Sequence, residues 1–213
     1  MINIKTFVFN HFSQNTYLVF DESKEAAIID SGCFFEQEKQ KLLQYIESNN
    51  LKLTKIIFTH CHLDHAFGTR FFHDTYNNLE IAGHKNESIF IDDAINQGLR
   101  FGIKMEQPPR LTKELEEGDT INVGNSVFEI LFVPGHSPGS LCYVNRERKI
   151  VFVGDVLFEG SIGRTDLPGG NLDLLLNGIK SKLLTLPDDY IVYSGHGETT
   201  TIGNEKKNNP FLK

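Results

Sequence analysis

The chain has 213 residues, enough to bury a real core in one large domain or two small ones, and its 39% hydrophobic and 23% charged content is that of a globular protein. Its formal charge of −7, from 21 basic and 28 acidic residues, with no basic run longer than the pair Lys206-Lys207, gives no electrostatic footprint for nucleic acid. No segment approaches the ~18 apolar residues of a membrane span, no charged and then apolar leader opens the chain, and Cys33, Cys61 and Cys142 are odd in number and scattered, so a cytoplasmic soluble protein without disulfides is expected.

The first third reads as short strands, Ile2 to Phe9, Asn15 to Phe20 and Ala26 to Asp30, separated by turn formers such as Asp21, Glu22 and Ser23. From Glu36 to Asn49, Leu42, Leu43 and Ile46 share one helical face. Lys55 to Thr59 is a buried-looking strand that runs into His60. The stretch from Gly83 to Glu117 is less regular, partly helical, and broken at Pro108-Pro109. Strands resume at Thr120 to Val123, Val127 to Val133, Leu141 to Val144 and Ile150 to Val153. Asn171 to Leu184 is a second amphipathic helix, with Asn171 as N-cap and Pro187 beyond its end, and Tyr190 to Ser194 is the last strand. With no linker or low-complexity segment, residues 1–213 are expected to form a single domain.

The two halves echo each other. Each reads strand, aspartate, helix, strand, histidine: Asp30 and His60 in the first, Asp155 and His196 in the second. The pattern suggests two similar sheets covered by helices, with the histidines meeting along one edge.

His60-Cys61-His62-Leu63-Asp64-His65 carries the chemistry. In an extended segment residues i and i+2 point the same way, so His60 and His62 grip one ion together while Cys61 faces away into packing. Asp64 and His65 follow at the start of a helix, where the chain turns, and face a second ion. Pro134-Gly135-His136, Gly154-Asp155 and Gly195-His196-Gly197 each place a further donor in a turn after a strand. Asp155 is the candidate to bridge two cations at ~3.5–4 Å separation. Imidazole and carboxylate donors without thiolate suit zinc, and also iron or manganese. His11, His73 and His84 fall outside the pattern and are read as ordinary surface or core residues.

The run Thr59-His60-Cys61-His62-Leu63-Asp64-His65-Ala66-Phe67-Gly68, with His136, Asp155 and His196 in order, resembles the metallo-β-lactamase superfamily over nearly the whole chain. The resemblance implies an α+β fold, a four-layer αββα sandwich with two metals at the edge between its sheets. It assigns metal one to His60, His62 and His136, and metal two to Asp64, His65 and His196, with Asp155 and a hydroxide bridging. Asp30 matches an early structural aspartate that orients a ligand instead of binding metal. The implied reaction is metal-assisted hydrolysis of a small-molecule ester or thioester, in which Asp64 is both a ligand and the candidate proton acceptor.

Within the superfamily, di-iron flavoprotein reductases usually carry glutamate where His62 stands, and true β-lactamases typically lack an equivalent of Asp155. The sequence looks most like the glyoxalase II group, the hydroxyacylglutathione hydrolases, in its short bacterial form. Phe158-Glu159-Gly160-Ser161-Ile162-Gly163-Arg164-Thr165-Asp166 matches a loop ending in a basic residue, which puts Arg164 on the glutathione part of the substrate. The alternative for Arg164 is a loop-stabilising ion pair with Asp166. Only 17 residues follow His196, where full-length glyoxalase II has a helical region with further glutathione contacts, and Lys206 and Lys207 are read as a solvated tail. Thioester hydrolysis is therefore expected with the thiol left open. The same loop also resembles persulfide dioxygenases, which use one iron on His60 (or His62), His136 and Asp155; that oxidoreductase is the alternative function.

Overall fold

The computed structural model describes residues 1–77 and 79–213. The first half builds strands β1 (Asn3–Phe9), β2 (Gln14–Phe20) and β3 (Glu25–Ile29), then α1 (Glu36–Ser48), β4 (Lys52–Ile57), α2 (Leu63–Ala66), α3 (Thr69–Thr75), β5 (Glu80–Gly83), α4 (Ser88–Asp92), α5 (Ala94–Arg100) and β6 (Lys113–Glu114). Its sheet runs β1-β2-β3-β4-β5-β6. The second half builds β7 (Thr120–Val123), β8 (Ser126–Phe132), β9 (Leu141–Asn145) and β10 (Ile150–Gly154), a small hairpin β11 (Leu157–Phe158) and β12 (Ser161–Ile162), then α6 (Leu172–Ser181), β13 (Ile191–Ser194), β14 (Thr200–Thr201) and α7 (Ile202–Asn208). Its sheet runs β14-β13-β10-β9-β8-β7.

Side chains of the central strands alternate between two apolar faces, and both faces are buried. On β3, Ala27 and Ile29 face the other sheet, while Ala26 and Ile28 join Leu42 and Ile46 of α1. On β10, Ile150 and Phe152 face inward, while Val151 and Val153 pack with Leu175 and Ile179 of α6. A strand covered on both faces reads as a continuous apolar run. The result is four layers, the αββα sandwich of the metallo-β-lactamase fold expected from the sequence.

The echo between the halves is a repeated parallel crossover. β3 and β4 pair in parallel across α1, and β10 and β13 pair in parallel across α6. Both crossovers end at the same edge, with the residues after β3, β4, β10 and β13 side by side. Asn171 caps α6 as expected, its side chain accepting from Leu174 N at 3.0 Å.

The end of the chain corrects an expectation. Lys206 and Lys207 do not form a solvated tail. They sit on α7, whose Ile202 and Glu205 are buried. Lys206 Nζ donates to the Leu186 carbonyl at 3.0 Å and pairs with Asp188 at 2.6 Å. Seven residues are too few for a periodic signal, and polar caps outnumber apolar anchors there. Strand β5 and helix α3 also lay outside the sequence reading for want of length. Among the described residues no helix is long and apolar enough to cross a membrane.

Candidate metal centre

All seven predicted donors meet at the sheet edge. After β4 the chain stays extended through His60 and His62, so their rings share one side, 4.7 Å apart and nearly perpendicular. Cys61 points the other way into the helix-side core, as expected. His62 precedes α2 with extended backbone, and that single helical turn swings Asp64 and His65 toward the second sheet. Asp155 follows Gly154, whose φ of +52° is left-handed and whose absent Cβ would lie 2.2 Å from Thr59 Oγ1. His196 follows Gly195, where a Cβ would come within 2.1 Å of Asp155 Oδ1. Only glycine lets those two turns close over the centre.

The donor atoms form two trios. His60, His62 and His136 make one, and Asp64, His65 and His196 the other, with donor atoms in each within 4.8 Å of one another. His136 Nε2 lies 3.2 Å from His60 Nε2 and 2.9 Å from His62 Nδ1. Asp64 Oδ2 lies 3.2 Å from His196 Nε2 and 3.6 Å from His65 Nε2. Asp155 stands between the trios: Oδ1 is 3.4 Å from His65 Nε2, and Oδ2 is 3.4 Å from His196 Nε2 and 3.7 Å from His136 Nε2.

Hydrogen bonds on the far side of each ring decide which nitrogen faces inward. His136 Nδ1 donates to the Arg164 carbonyl, His196 Nδ1 to the Phe12 carbonyl and His65 Nδ1 to Asp30 Oδ2, each at 2.9 Å. Thr59 Oγ1 gives its proton to Asp30 Oδ2 at 2.6 Å, so it accepts from His60 Nδ1 at 3.1 Å. The Nε2 lone pairs of His60 and His136 therefore point at each other. Lone pairs do not bond to one another; a shared cation satisfies both. His65 Nε2 and Asp155 Oδ1, which face each other at the centre, are buried without a hydrogen-bond partner among the described residues. A divalent cation in each trio fits this donor set.

The two trios differ in charge. Burial, then the neighbouring imidazoles, holds His60 far below its ordinary pKa; burial and His136 push His62 down to about 3; burial also lowers His136. These rings are neutral, as metal ligands must be. In the second trio burial works against charge on His65 and His196, but the carboxylates outweigh it. Asp64, Asp155 and Asp30 raise His65, and hydrogen bonds to Asp155 and Asp64 raise His196 to about 10. Asp64 and Asp155 are lowered despite their burial, chiefly by His65. This half of the centre demands positive charge, from protons or from a cation.

Asp30 lies within ligand reach of His60 and His65. Its oxygens are already engaged, Oδ1 accepting from Thr59 N at 2.8 Å and Oδ2 from Thr59 Oγ1 and His65. It orients His65, in keeping with the sequence reading. His11, His73 and His84 stand apart, against Phe35, Asp74 and Phe132.

Glu87 has no sequence signal. It is fully buried and ties two ligand loops together, Oε2 accepting from Cys61 N at 2.7 Å and Oε1 from Gly139 N at 2.6 Å and Ser137 Oγ at 2.5 Å. Burial raises its pKa against those three hydrogen bonds. Its partners lie 26 to 52 residues away, beyond any local pattern.

A cavity of about 680 Å³ opens over the centre, with Asp64, Asp155 and Arg164 in its wall. The ion pair expected between Arg164 and Asp166 is present, and the arginine also lines the cavity. Asp166 clamps it, Nε to Oδ1 at 2.7 Å and Nη2 to Oδ2 at 2.6 Å.

Comparison with known proteins agrees with this geometry. A family model described as the metallo-beta-lactamase superfamily matches residues 10–196. The chain is 41% identical to the hydroxyacylglutathione hydrolase GloC of Haemophilus influenzae, covering 99% of this chain and 98% of that protein. Among solved structures it is similar to BLEG-1, described as a B3 metallo-beta-lactamase, with a TM-score of 0.91 and 35% identity over 99% of this chain and 100% of the other. It is also similar to TTHA1623, solved in a di-iron-bound form, with a TM-score of 0.87 and 34% identity over 98% of this chain and 100% of the other. The fold binds divalent metals, and the chain belongs to the metallo-beta-lactamase superfamily.

Proposed function

We propose that the protein is a two-metal hydrolase of thioesters and esters, akin to hydroxyacylglutathione hydrolases, with zinc as the metal. The observation that carries this reading is Asp155, poised between two complete donor trios. His60, His62 and His136 would hold one ion and Asp64, His65 and His196 the other, with Asp155 within reach of donors of both trios. Bound there, two cations supply Lewis acidity, lowering the pKa of water toward neutrality and stabilising charge on the carbonyl oxygen.

The chain's own groups do the rest. Asp64 opens on the cavity, and its Oδ2 is engaged by His65 and His196, which leaves Oδ1 to accept the proton of the attacking water. That proton then passes to the departing sulfur, so thioester and water give a carboxylic acid and a thiol. Arg164, fixed by Asp166, offers its free Nη1 to an anionic group on the thiol side. Identity with GloC supports a glutathione thioester, and likeness to BLEG-1 makes a β-lactam the competing substrate.

The test is a panel of S-lactoylglutathione, simple thioesters, lactones and a β-lactam, run beside elemental analysis. About two zinc per chain and thioester turnover abolished by His60→Ala are expected. Turnover that survives His60→Ala would sink the mechanism. One iron per chain with oxygen consumption would instead indicate the persulfide dioxygenase reading, against which the intact Asp64–His65–His196 trio weighs.

A further inference from the structure

The wall of the cavity constrains the substrate further than the metal centre does. Six apolar side chains line it: Phe12, Leu63, Phe90, Phe101, Leu167 and Pro168. Phe90 stands edge-on against the His62 ring at 4.9 Å, and the Phe12 carbonyl accepts the His196 hydrogen bond. One ring of the wall thus touches the first trio, and the backbone of another wall residue orients a donor of the second. Phe12 and Phe101 meet edge-on at 6.1 Å, yet remain 37% and 53% exposed. Aromatic rings left open beside a reaction centre gain by being covered when substrate binds. The acidic residues in the wall are Asp64 and Asp155, both committed to the centre, and its arginines, Arg100 and Arg164, are each paired with an aspartate.

A lactoyl group offers this wall one methyl. Accepting the hydrolase reading above, we infer that the apolar wall is an acyl subsite and that the preferred substrates are thioesters with an aryl or similarly bulky apolar acyl group. Phe90 of the wall packs on the His62 ring at the floor of the cavity, so the group bonded to a carbonyl held over the centre meets the wall first. The thiol then extends outward past the clamped Arg164.

The experiment compares S-mandeloylglutathione with S-lactoylglutathione on the metal-loaded enzyme, a phenyl replacing a methyl on the same thiol. The mandeloyl ester is expected to have kcat/KM roughly tenfold higher or more, the scale of discrimination an apolar pocket gives. In Phe101→Ala and Leu167→Ala that ratio should fall about threefold or more. The ratio cancels losses of folding or metal common to both substrates. A ratio of one or less, or one unmoved by both variants, overturns the inference, as does a preference that follows an aryl group on the thiol instead.

Binding of the product acids needs no turnover and separates the two readings. Calorimetry on the metal-loaded protein should show mandelate binding roughly tenfold tighter than lactate. If no thioester is hydrolysed but mandelate binds tighter, the hydrolase reading falls and the subsite stands. Equal binding of the two acids removes the subsite, whatever the activity.

Discussion

Tyr17 and Tyr143 reach across the sandwich in opposite directions. Tyr17, on β2, donates its hydroxyl proton to the Ser194 carbonyl at 2.6 Å, and Tyr143, on β9, donates to the Phe58 carbonyl at 2.5 Å. Each sheet's tyrosine thereby holds the strand end from which the other sheet delivers a ligand, His196 after Ser194 and His60 after Phe58. Both tyrosines are buried, so each bond is made away from water.

Removing one hydroxyl leaves a buried carbonyl unpaired. Tyr143→Phe should destabilise the protein by about 1–3 kcal/mol. For a chain of this length each kcal/mol lowers Tm by roughly 2–4 °C. Thermal unfolding of metal-free protein checks it; an unchanged Tm would mean that the bond contributes nothing to the sandwich.

Glu87 joins the His60–His62 loop to the His136 loop without touching metal. Glu87→Ala releases three hydrogen bonds and lets the first trio spread. Metal affinity should fall about 10–100-fold, as for other partners one step behind the ligands. Glu87→Gln keeps one acceptor oxygen and should lose less. Competition against a chromophoric chelator measures both variants, and wild-type affinity in Glu87→Ala would refute the role.

Asp155 serves both trios, so its loss should separate them. In Asp155→Asn the expected metal content falls from two equivalents toward one. Thioester turnover should drop at least about 100-fold, the upper end of what partners one step further out contribute. Elemental analysis and steady-state kinetics decide it; two tightly held ions in this variant would show that bridging is not needed.

Protonation distinguishes the trios. In metal-free protein the carboxylates hold protons on His65 and His196, the latter up to about pH 10, while His60, His62 and His136 are neutral at pH 7. A cation entering the Asp64–His65–His196 trio must displace those protons, so its affinity rises with pH between 6 and 9, by about tenfold per pH unit for each proton released. The first trio's affinity should be nearly flat over that range. Calorimetry in buffers of different ionisation heat should find proton release with one equivalent of metal and not the other. Equal release for both would contradict the assignment.

Much of this centre was legible along the chain because its rules are local. Alternation in an extended segment puts His60 and His62 on one side and Cys61 on the other, and a helical turn then redirects Asp64 and His65. Strands apolar at successive positions, as in Ala26 to Ile29 and Ile150 to Val153, imply burial on both faces and hence four layers. What lay outside was set by contacts distant in sequence. Glu87 is 26 residues from the Cys61 amide it holds, and Tyr17 is 177 residues from the carbonyl it holds. α7 is held by polar caps and by Glu205, which accepts from Gly160 N at 3.0 Å, 45 residues away.

By itself, then, the sequence determined which residues can bind metal and that their strands end at one edge, since both follow from residue chemistry and backbone period. Only the tertiary structure decided which nitrogen of each histidine faces inward, that Asp155 stands between two trios, and that aromatic rings from three separate segments close one wall of the cavity. Those outcomes depend on distances across the fold, and a carbonyl, a carboxylate or a ring acquires its role from what packs against it.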